Sequence, residues 1–308
     1  MTVLEAIQKS TEFLGKKNVE SPRLQTELLL AHLLKIPRMK LYLNFDRGLT
    51  AAETDALRDL VKRRGRHEPL QHIVGSTSFC GHEIAVNRHV LVPRPETELL
   101  AESGWKFLAT LSPQPSTCLD FGTGSGCIAI ALAAKCAQAR IVATDISTDA
   151  LVLAQANAAR NKVAGQIEFL PGDGFAALMP EGRVPRVPDS KTGGELKDSP
   201  SLSLRKWEFD LLVSNPPYIP AAEIATLDPE VRDFDPRLAL DGGVDGLDFY
   251  RRLAAGAKPF LKPAGKIMVE FGDGQADAIK KIFEDEKWIV EAVQEDYSQR
   301  ARILVARR

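Results

Sequence analysis

The sequence predicts an α/β fold in which a helix-covered parallel sheet follows a small helical bundle and a β-hairpin linker. Apolar residues recur at helical spacing over the first 70 positions. Short alternating runs replace them at positions 73–92. Beyond Pro95, strand-like and helix-like segments alternate, which is the rhythm of a parallel sheet. The 308 residues suffice for two domains, which we place at 1–72 and 94–308 with a linker at 73–93.

The composition is that of an ordinary folded protein. Hydrophobic residues make up 44% and charged residues 26%, which argues against disordered, collagen-like and coiled-coil chains. With 40 basic and 41 acidic side chains the net charge is −1, so the basic surplus of a dedicated nucleic-acid binder is missing. The apolar stretches are too short to span a bilayer, and no signal pattern opens the chain, so we expect a cytoplasmic protein. Four cysteines without a C-x-x-C pair and five scattered histidines predict reduced thiols and no metal site.

Helix starts in the N-terminal part are marked by capping residues. Thr2 with Glu5, and Thr50 with Glu53, have the spacing in which side chain and backbone cap each other. Ser21 precedes a proline at the first helical position. We expect an amphipathic helix after each of these starts.

Two segments outside the regular elements are charged or rich in proline. The basic run at 62–66 is interpreted as a solvated helix end, where cations complement the helix dipole. Residues 180–206 combine prolines with many charges and are predicted to form a mobile surface insertion.

The C-terminal part divides into alternating segments. Strands are predicted at 117–121, 140–144, 166–170, 209–214, 266–271, 288–293 and 302–306. Helices are predicted at 126–137, 148–161, 247–261 and 275–285.

The first candidate site is a glycine-rich turn between the first of these strands and its helix. It comprises Gly122, Thr123, Gly124, Ser125 and Gly126. Glycines let a ligand approach the backbone at the positive end of the helix. A dinucleotide fingerprint would place its third glycine or alanine at Cys127, and Asp145 ends the next strand where a carboxylate can accept both ribose hydroxyls. The pattern favours S-adenosylmethionine over a nicotinamide cofactor, and a tight turn without a ligand stays possible.

A second candidate segment follows the third strand. Asp173, Gly174 and Phe175 place a hydrogen-bond acceptor and an aromatic ring where an adenine would lie. Taken alone, such a loop is common, so its assignment depends on the neighbouring motifs.

The most informative motif follows the fourth strand and reads Asn215-Pro216-Pro217-Tyr218. Two prolines fix φ and make the strand end rigid. The side-chain oxygen of Asn215 and the carbonyl of Pro216 can then accept the two hydrogens of a planar NH₂ group, while Tyr218 packs against its plane. The tetrad predicts a clamp for an amide or aryl-amine nitrogen.

Over nearly its whole length the sequence resembles the release factor glutamine methyltransferases of the PrmC/HemK family. The match includes the glycine turn, the tetrad with Ile219, and the segments 91–98 (LVPRPETE), 235–243 (DPRLALDGG) and 245–247 (DGL). The resemblance implies a helical domain that helps recognise the release factor and a seven-stranded, Rossmann-like methyltransferase domain that uses S-adenosyl-L-methionine. It also implies methylation at N5 of the glutamine in the GGQ motif of class I peptide chain release factors, with Asn215, Pro216 and Tyr218 in the reaction.

Three other readings stay open. An adenine-N6 methyltransferase would use the same clamp on an exocyclic amine, but such enzymes usually grip phosphates with a basic surface. A sibling enzyme that acts on a glutamine of a ribosomal protein shares the tetrad. The third alternative is a cofactor-binding module without activity that docks on a translation factor. The presence of both Asn215 and Asp145 argues against it.

Overall fold

The N-terminal part of the chain is a helical bundle followed by a β-hairpin. The computed structural model describes residues 1–179 and 207–308, so the predicted insertion at 180–206 lies outside the described residues. The elements are α1 (Val3–Lys16), α2 (Pro22–Leu34), α3 (Ala51–Arg64), α4 (Leu70–Val74), β1 (Ser76–Phe79) and β2 (His82–Ala85). Aliphatic side chains from all four helices form a core of their own, which explains the helical spacing of apolar residues.

Helix starts in the bundle follow the sequence in two cases and depart from it in one. At Thr2 and Thr50, the threonine side chain and the glutamate three residues later each bond the other's backbone N–H, so both predicted capping boxes are confirmed. Ser21 makes no capping bond with its side chain, because its backbone is left-handed, with φ at +46°. A side-chain cap requires extended geometry at that position.

Seven strands form the sheet of the C-terminal part. They are β3 (Thr117–Phe121), β4 (Arg140–Asp145), β5 (Ile167–Pro171), β6 (Phe209–Ser214), β7 (Leu261–Glu270), β8 (Ile289–Glu295) and β9 (Ala301–Arg307). Their order is β5-β4-β3-β6-β7-β9-β8, and β9 runs antiparallel to its neighbours β7 and β8. The predicted α/β class is thereby confirmed, with one strand reversed.

Helices cover both faces of this sheet. They are α5 (Pro95–Thr110), α6 (Cys127–Lys135), α7 (Thr148–Arg160), α9 (Asp248–Gly256) and α10 (Ala276–Asp285), and the one-turn helix α8 (Pro229–Arg232) lies between β6 and α9 without a buried residue. Successive strand residues point to opposite faces. On β3, Cys118 therefore packs in a core with α5, α6 and α7, whereas Leu119 packs in a second core with α9 and α10. Phe79 and Ile84 of the hairpin are buried in the first core, so the predicted linker is packed against the sheet domain.

The sheet contains a point where the strand order reverses. β3 pairs with β4 on one side and with β6 on the other, so a crevice opens at their carboxyl ends. At this edge the Ser214 hydroxyl donates to the Phe121 carbonyl oxygen at 2.7 Å, which ties the ends of β6 and β3 together. The loops that carry the predicted site residues all leave from this edge.

The sequence prediction misses α5 and places two later boundaries wrongly. Gly104 lies inside α5 and lowers its helix propensity. The packing explains this glycine, since a Cβ there would lie 3.0 Å from the Leu132 side chain of α6. The helix predicted at 247–261 ends at Gly256, and β7 begins at Leu261 instead of Lys266. Pro263 and Gly265 lie in the first half of β7, and because both residue types are unfavourable inside strands, the sequence pattern did not predict this half.

The basic run at 62–66 is more than a solvated helix end. Arg64 is buried at the end of α3, where its guanidinium donates to Gln25, to the Glu68 carbonyl oxygen and to the Glu230 carboxylate. Glu230 belongs to α8, so this ion pair joins the bundle to the sheet domain. The prediction of a solvated end is therefore wrong for Arg64.

No helix within the described residues combines the length and the apolar composition that a membrane span requires. All four cysteines are free thiols. Among the described residues, no three His, Cys, Asp or Glu side chains are arranged to hold a metal ion.

Candidate active site

A cavity of about 310 Å³ lies at the carboxyl edge of the sheet, where β3, β4, β5 and β6 end. Ten of the predicted site residues line it. They are Gly122, Thr123, Gly124, Ser125, Asp145, Asp173, Gly174, Asn215, Pro216 and Pro217. Gly126, Phe175 and Tyr218 do not line this cavity. The fold thus brings four separate loops of the sequence to one site.

The glycine turn presents its backbone to the cavity. Gly122 and Gly124 have φ values of +75° and +55°, and a Cβ at either position would meet nothing within 4 Å. These two glycines therefore provide a left-handed backbone over open space, where a ligand can approach. Gly126 has another role, because its Cβ would lie 3.0 Å from that of Ala154, so this glycine allows α6 to pack on α7.

Asp120, the second-last residue of β3, holds the turn in place. Its Oδ2 accepts hydrogen bonds from the Thr123 hydroxyl at 2.6 Å and from the Ala129 N–H at 3.1 Å. Burial raises the pKa of Asp120 to about 7, although these two bonds lower it. Its other oxygen, Oδ1, is buried without a partner among the described residues. Asp120 was not among the predicted site residues.

Asp145 has the geometry that a ribose-binding carboxylate requires. Its Oδ2 accepts from the Gly124 N–H and its Oδ1 from the Ser147 N–H, both at 2.8 Å. Each carboxylate oxygen has two lone pairs, so each can still accept a hydroxyl from the cavity side. Burial raises the pKa of Asp145, while these backbone bonds lower it. The bond to Gly124 also links the carboxylate directly to the glycine turn.

The loop after β5 agrees only partly with the prediction. Asp173 and Gly174 line the cavity, and Arg252 donates to the Asp173 side chain at 2.6 Å and to its carbonyl oxygen at 2.8 Å. The Phe175 ring lies in the core, stacked on Phe260 with ring centroids 5.1 Å apart. The prediction that this ring faces an adenine is therefore wrong, because the short helix after Gly174 turns it toward the sheet.

Gly174 is required by its surroundings as well as by its backbone. Its φ is +60°, and a Cβ there would lie 2.8 Å from the Phe121 ring and 2.7 Å from the Arg252 guanidinium. A larger residue would displace both groups.

The tetrad after β6 enters the cavity through its first three residues. The Asn215 Nδ2 donates to the Thr97 hydroxyl at 3.0 Å, which turns the side-chain oxygen of Asn215 away from Thr97. Tyr218 lies beside Gly272, with only 3.0 Å between its ring and a Cβ built on that glycine, and its carbonyl oxygen accepts from Gln275. The prediction that Tyr218 packs on the bound NH₂ group is not supported by this placement. Three apolar rings do border the site, those of Pro216, Pro217 and Phe121.

Two segments quoted for the resemblance supply site residues that the sequence prediction did not assign. Arg94 and Thr97, from the segment 91–98, line the cavity. Arg94 donates to the buried Asp235 at 2.9 Å, and Asp235 opens the segment 235–243. Burial raises the pKa of Asp235 to about 6, while Arg94 lowers it. The only sequence signal for these residues was their position inside the two segments quoted for the resemblance, because the pairing of Arg94 with Asp235 appears only in the structure.

Asn157 is another residue that the sequence prediction missed. It is buried on α7, where its Oδ1 accepts from the Ala85 N–H at 2.8 Å. Its Nδ2 donates to the Ala85 and Ser125 carbonyl oxygens at 3.0 and 2.9 Å. One amide thus fastens the hairpin to the glycine turn. An asparagine in an exposed-looking helical segment carries no sequence signal for this role.

The residues of this site fit a nucleoside-containing methyl donor. Two glycines leave open space above the turn, and Asp145 retains acceptors toward the cavity. Apolar walls adjoin these groups, as Val90, Leu91 and Pro93 also line the cavity. The acceptors of Asp145 suit the hydroxyl groups of a ribose, and the apolar wall beside them suits a sulfonium methyl group.

The fold and the cavity together define an α/β methyltransferase, and residues 102–183 match the family model described as the methyltransferase small domain. Residues 5–75 match the PrmC N-terminal domain. The chain is 40% identical over 282 residues to the release factor glutamine methyltransferase of Geobacter sulfurreducens, covering 92% of this chain and 88% of that protein. It is 39% identical to the same enzyme of Chlorobaculum tepidum, covering 90% and 87%. The chain therefore belongs to the release factor glutamine methyltransferase family.

One solved structure shares the fold at low identity. The hMettl16 catalytic domain, solved in complex with the MAT2A 3'UTR hairpin 6, aligns with a TM-score of 0.51 and 16% identity. The alignment covers 81% of this chain and 82% of that chain. At this identity the likeness concerns the architecture alone.

Proposed function

We propose that this enzyme transfers the methyl group of S-adenosyl-L-methionine to N5 of the glutamine in the GGQ motif of class I peptide chain release factors. The observation that carries the proposal is the position of Asn215, Pro216 and Pro217 in one cavity with Gly122, Gly124 and Asp145. Membership of the family supports the choice of a glutamine as the acceptor. Since release factors act on ribosomes, the proposed place of action is the cytoplasm.

The glycine turn and Asp145 are proposed to hold the cofactor. Asp145 accepts the ribose hydroxyls, and the backbone of Gly122 and Gly124 borders the methionine part. The cofactor would supply an electrophilic methyl group, whose bond to the sulfonium sulfur would break as the bond to the glutamine nitrogen forms, and the nitrogen would then lose one proton to water. Asp173 and Gly174 border the adenine, without the ring of Phe175.

The tetrad is proposed to orient the substrate amide. A carboxamide nitrogen is a weak nucleophile because its lone pair is delocalised, so orientation supplies much of the catalysis. Holding two groups in reactive geometry is worth roughly 7–11 kcal/mol. Asn215 Oδ1 and the Pro216 carbonyl accept the two N–H bonds, which stabilises positive charge as it develops on nitrogen. The rings of Pro217 and Phe121 help to exclude water, which strengthens these contacts.

The test is methylation of a purified release factor. We expect incubation with enzyme and S-adenosylmethionine to add one methyl group to the GGQ glutamine, as mass spectrometry of the peptide reports. A release factor with glutamate in place of that glutamine is the control and stays unmodified. Methylation of a ribosomal protein or of adenine in nucleic acid, with no reaction on the release factor, would contradict the proposal.

The helical bundle is proposed to recognise the body of the release factor. Its surface carries two strongly exposed apolar residues, Met39 and Leu43, on the 3₁₀ helix Arg38–Leu43. Exposed apolar side chains of this size mark contact surfaces when they cluster. We expect Leu43→Ser to raise KM for the whole release factor and to leave KM for a short GGQ peptide unchanged. Equal effects on both substrates would argue against a docking role.

A further inference from the structure

A buried carboxyl group lies directly behind the proposed substrate clamp. Glu270 is the last residue of β7, which pairs with β6 so that Val269 is opposite Ser214. Glu270 is therefore level with Asn215, the next residue of the β6 chain. Its side chain is buried and is not part of the cavity wall. The Tyr250 hydroxyl donates to the Glu270 carbonyl oxygen at 2.8 Å, which holds the backbone at this strand end.

Two side chains of the site act on this carboxyl group. Burial raises the pKa of Glu270 to about 7, and hydrogen bonding from Thr97 and Asn215 lowers it. Glu96 raises it further, and Arg302 lowers it. The Oε2 atom has no hydrogen-bond partner among the described residues, so the site leaves acceptor capacity unused at this position. A buried acceptor without a hydrogen-bond partner costs free energy of folding.

The direction of the hydrogen bonds follows from the chemistry of the three groups. The Asn215 Nδ2 donates to the Thr97 oxygen at 3.0 Å, and the only hydrogen of the Thr97 hydroxyl is then free to go to Glu270. An ionised carboxylate accepts and cannot donate. The NH₂ group of Asn215 is thus drawn toward Thr97 and Glu270, and its oxygen is left for the cavity.

This direction matters because the two ends of an asparagine amide have nearly the same shape. A flipped Asn215 would present two N–H donors to the NH₂ group of the substrate, which cannot accept them. The clamp works only in one orientation. The shape of the Asn215 side chain does not by itself favour either orientation, so a neighbouring group must select one.

We propose that Glu270, acting through Thr97, is the positioning residue that fixes the oxygen of Asn215 toward the substrate nitrogen. This inference rests on the proposed function, because it concerns the acceptor of an amide N–H bond. Glu270 does not touch the substrate in this scheme. Its effect on the reaction passes through the amide of Asn215.

The experiment is a double-mutant cycle measured by single-turnover methylation of release factor with saturating cofactor, near pH 8 so that Glu270 is ionised. Glu270→Gln preserves the shape but can donate as well as accept, so both orientations of Asn215 become populated. Because only the competent orientation reacts, the rate should fall in proportion to the fraction of Asn215 that keeps it, by about three- to tenfold. The Kd for cofactor and KM for release factor should change by less than about twofold, because the lining of the cavity is unchanged.

The decisive comparison is made in the Asn215→Ala background. There Glu270→Gln should change the remaining rate by less than about twofold, because no amide is left to orient. Thr97→Val should behave as Glu270→Gln does, and Thr97→Ser, which retains the hydroxyl, should restore most of the rate. Should Glu270→Gln fail to fold, the two Thr97 variants carry the same cycle.

A matched control is Asp210→Asn on β6. Asp210 lies near the amino-terminal end of β6, opposite to the end that borders the cavity. There it accepts hydrogen bonds from the Thr117 N–H and from Lys262, so the same chemical change is made far from the cavity. We expect its turnover to equal that of the wild type. The inference is overturned if Glu270→Gln or Thr97→Val is as fast as the wild type, or if either slows the reaction equally with and without Asn215. A wild-type enzyme that leaves the release factor unmethylated would instead refute the proposed function.

Discussion

Asn157 provides a strict test of how the hairpin and the glycine turn are held together. Its amide makes three hydrogen bonds to the backbone of Ala85 and Ser125. A hydrogen bond contributes a net of about 1 kcal/mol, so Asn157→Leu, which keeps the branched shape but removes the polar atoms, should lower the free energy of unfolding by about 3 kcal/mol. Urea unfolding followed by tryptophan fluorescence measures this loss. Cofactor affinity should fall as well, because the Ser125 carbonyl loses its anchor.

Asn161, one helical turn later, is the matched control. Its Nδ2 also donates to two carbonyl oxygens, those of Glu83 and Asn157, but at the partly exposed end of α7. Water can replace these bonds, so Asn161→Leu should cost less than about 1 kcal/mol. The reasoning is refuted if both variants unfold at the same urea concentration.

Asn157→Asp sharpens the test through its pH dependence. The aspartate keeps the acceptor for Ala85 but sets a carboxylate oxygen against the two carbonyl oxygens. Its pKa in the folded state should therefore rise above the unfolded value of about 3.9. A group with a raised folded pKa stabilises below its unfolded pKa and loses that contribution as pH rises through the folded value. We expect this variant to approach wild-type stability in acid and to be destabilised most above neutrality.

Three further predictions concern the cavity and the domain contact. Asp145→Asn keeps the side-chain shape but loses one acceptor and the charge, so calorimetry should show cofactor binding weaker by about 1.5–3 kcal/mol. Unchanged affinity would show that Asp145 does not bind the cofactor. Asn215→Ala should lower turnover by about 100-fold, comparable with losing one preorganised contact. Asn215→Asp keeps an acceptor and should retain more activity than the alanine variant. A slower aspartate variant would show that Asn215 does not act by accepting a hydrogen bond. Glu230→Gln leaves the buried Arg64 without its charged partner. Because Glu230 is partly solvated, the loss of stability should be about 1–2 kcal/mol, below the 3–5 kcal/mol of a fully buried pair. An unchanged urea midpoint would show that this ion pair does not hold the bundle in place.

The sequence by itself determined the elements whose signals are local. The capping boxes at Thr2 and Thr50 depend on residues three positions apart, and both appear in the structure. The glycine turn and the tetrad each follow a strand directly, and Asp145 ends one. Because parallel strands end at a common edge, their positions in the chain were enough to bring most of these residues to one cavity, with Gly126 and Tyr218 outside its lining.

Tertiary structure alone decided which way side chains turn and which distant residues meet. Phe175 and Tyr218 follow the cavity loops in sequence, yet their rings pack against Phe260 and Gly272. The partnerships of Asn157 with Ser125, and of Glu270 with Thr97, join residues that share no local pattern. Hydrogen bonding and burial at such contacts depend on how separate elements pack, and a sequence read in short windows records periodicity along the chain but not packing across it.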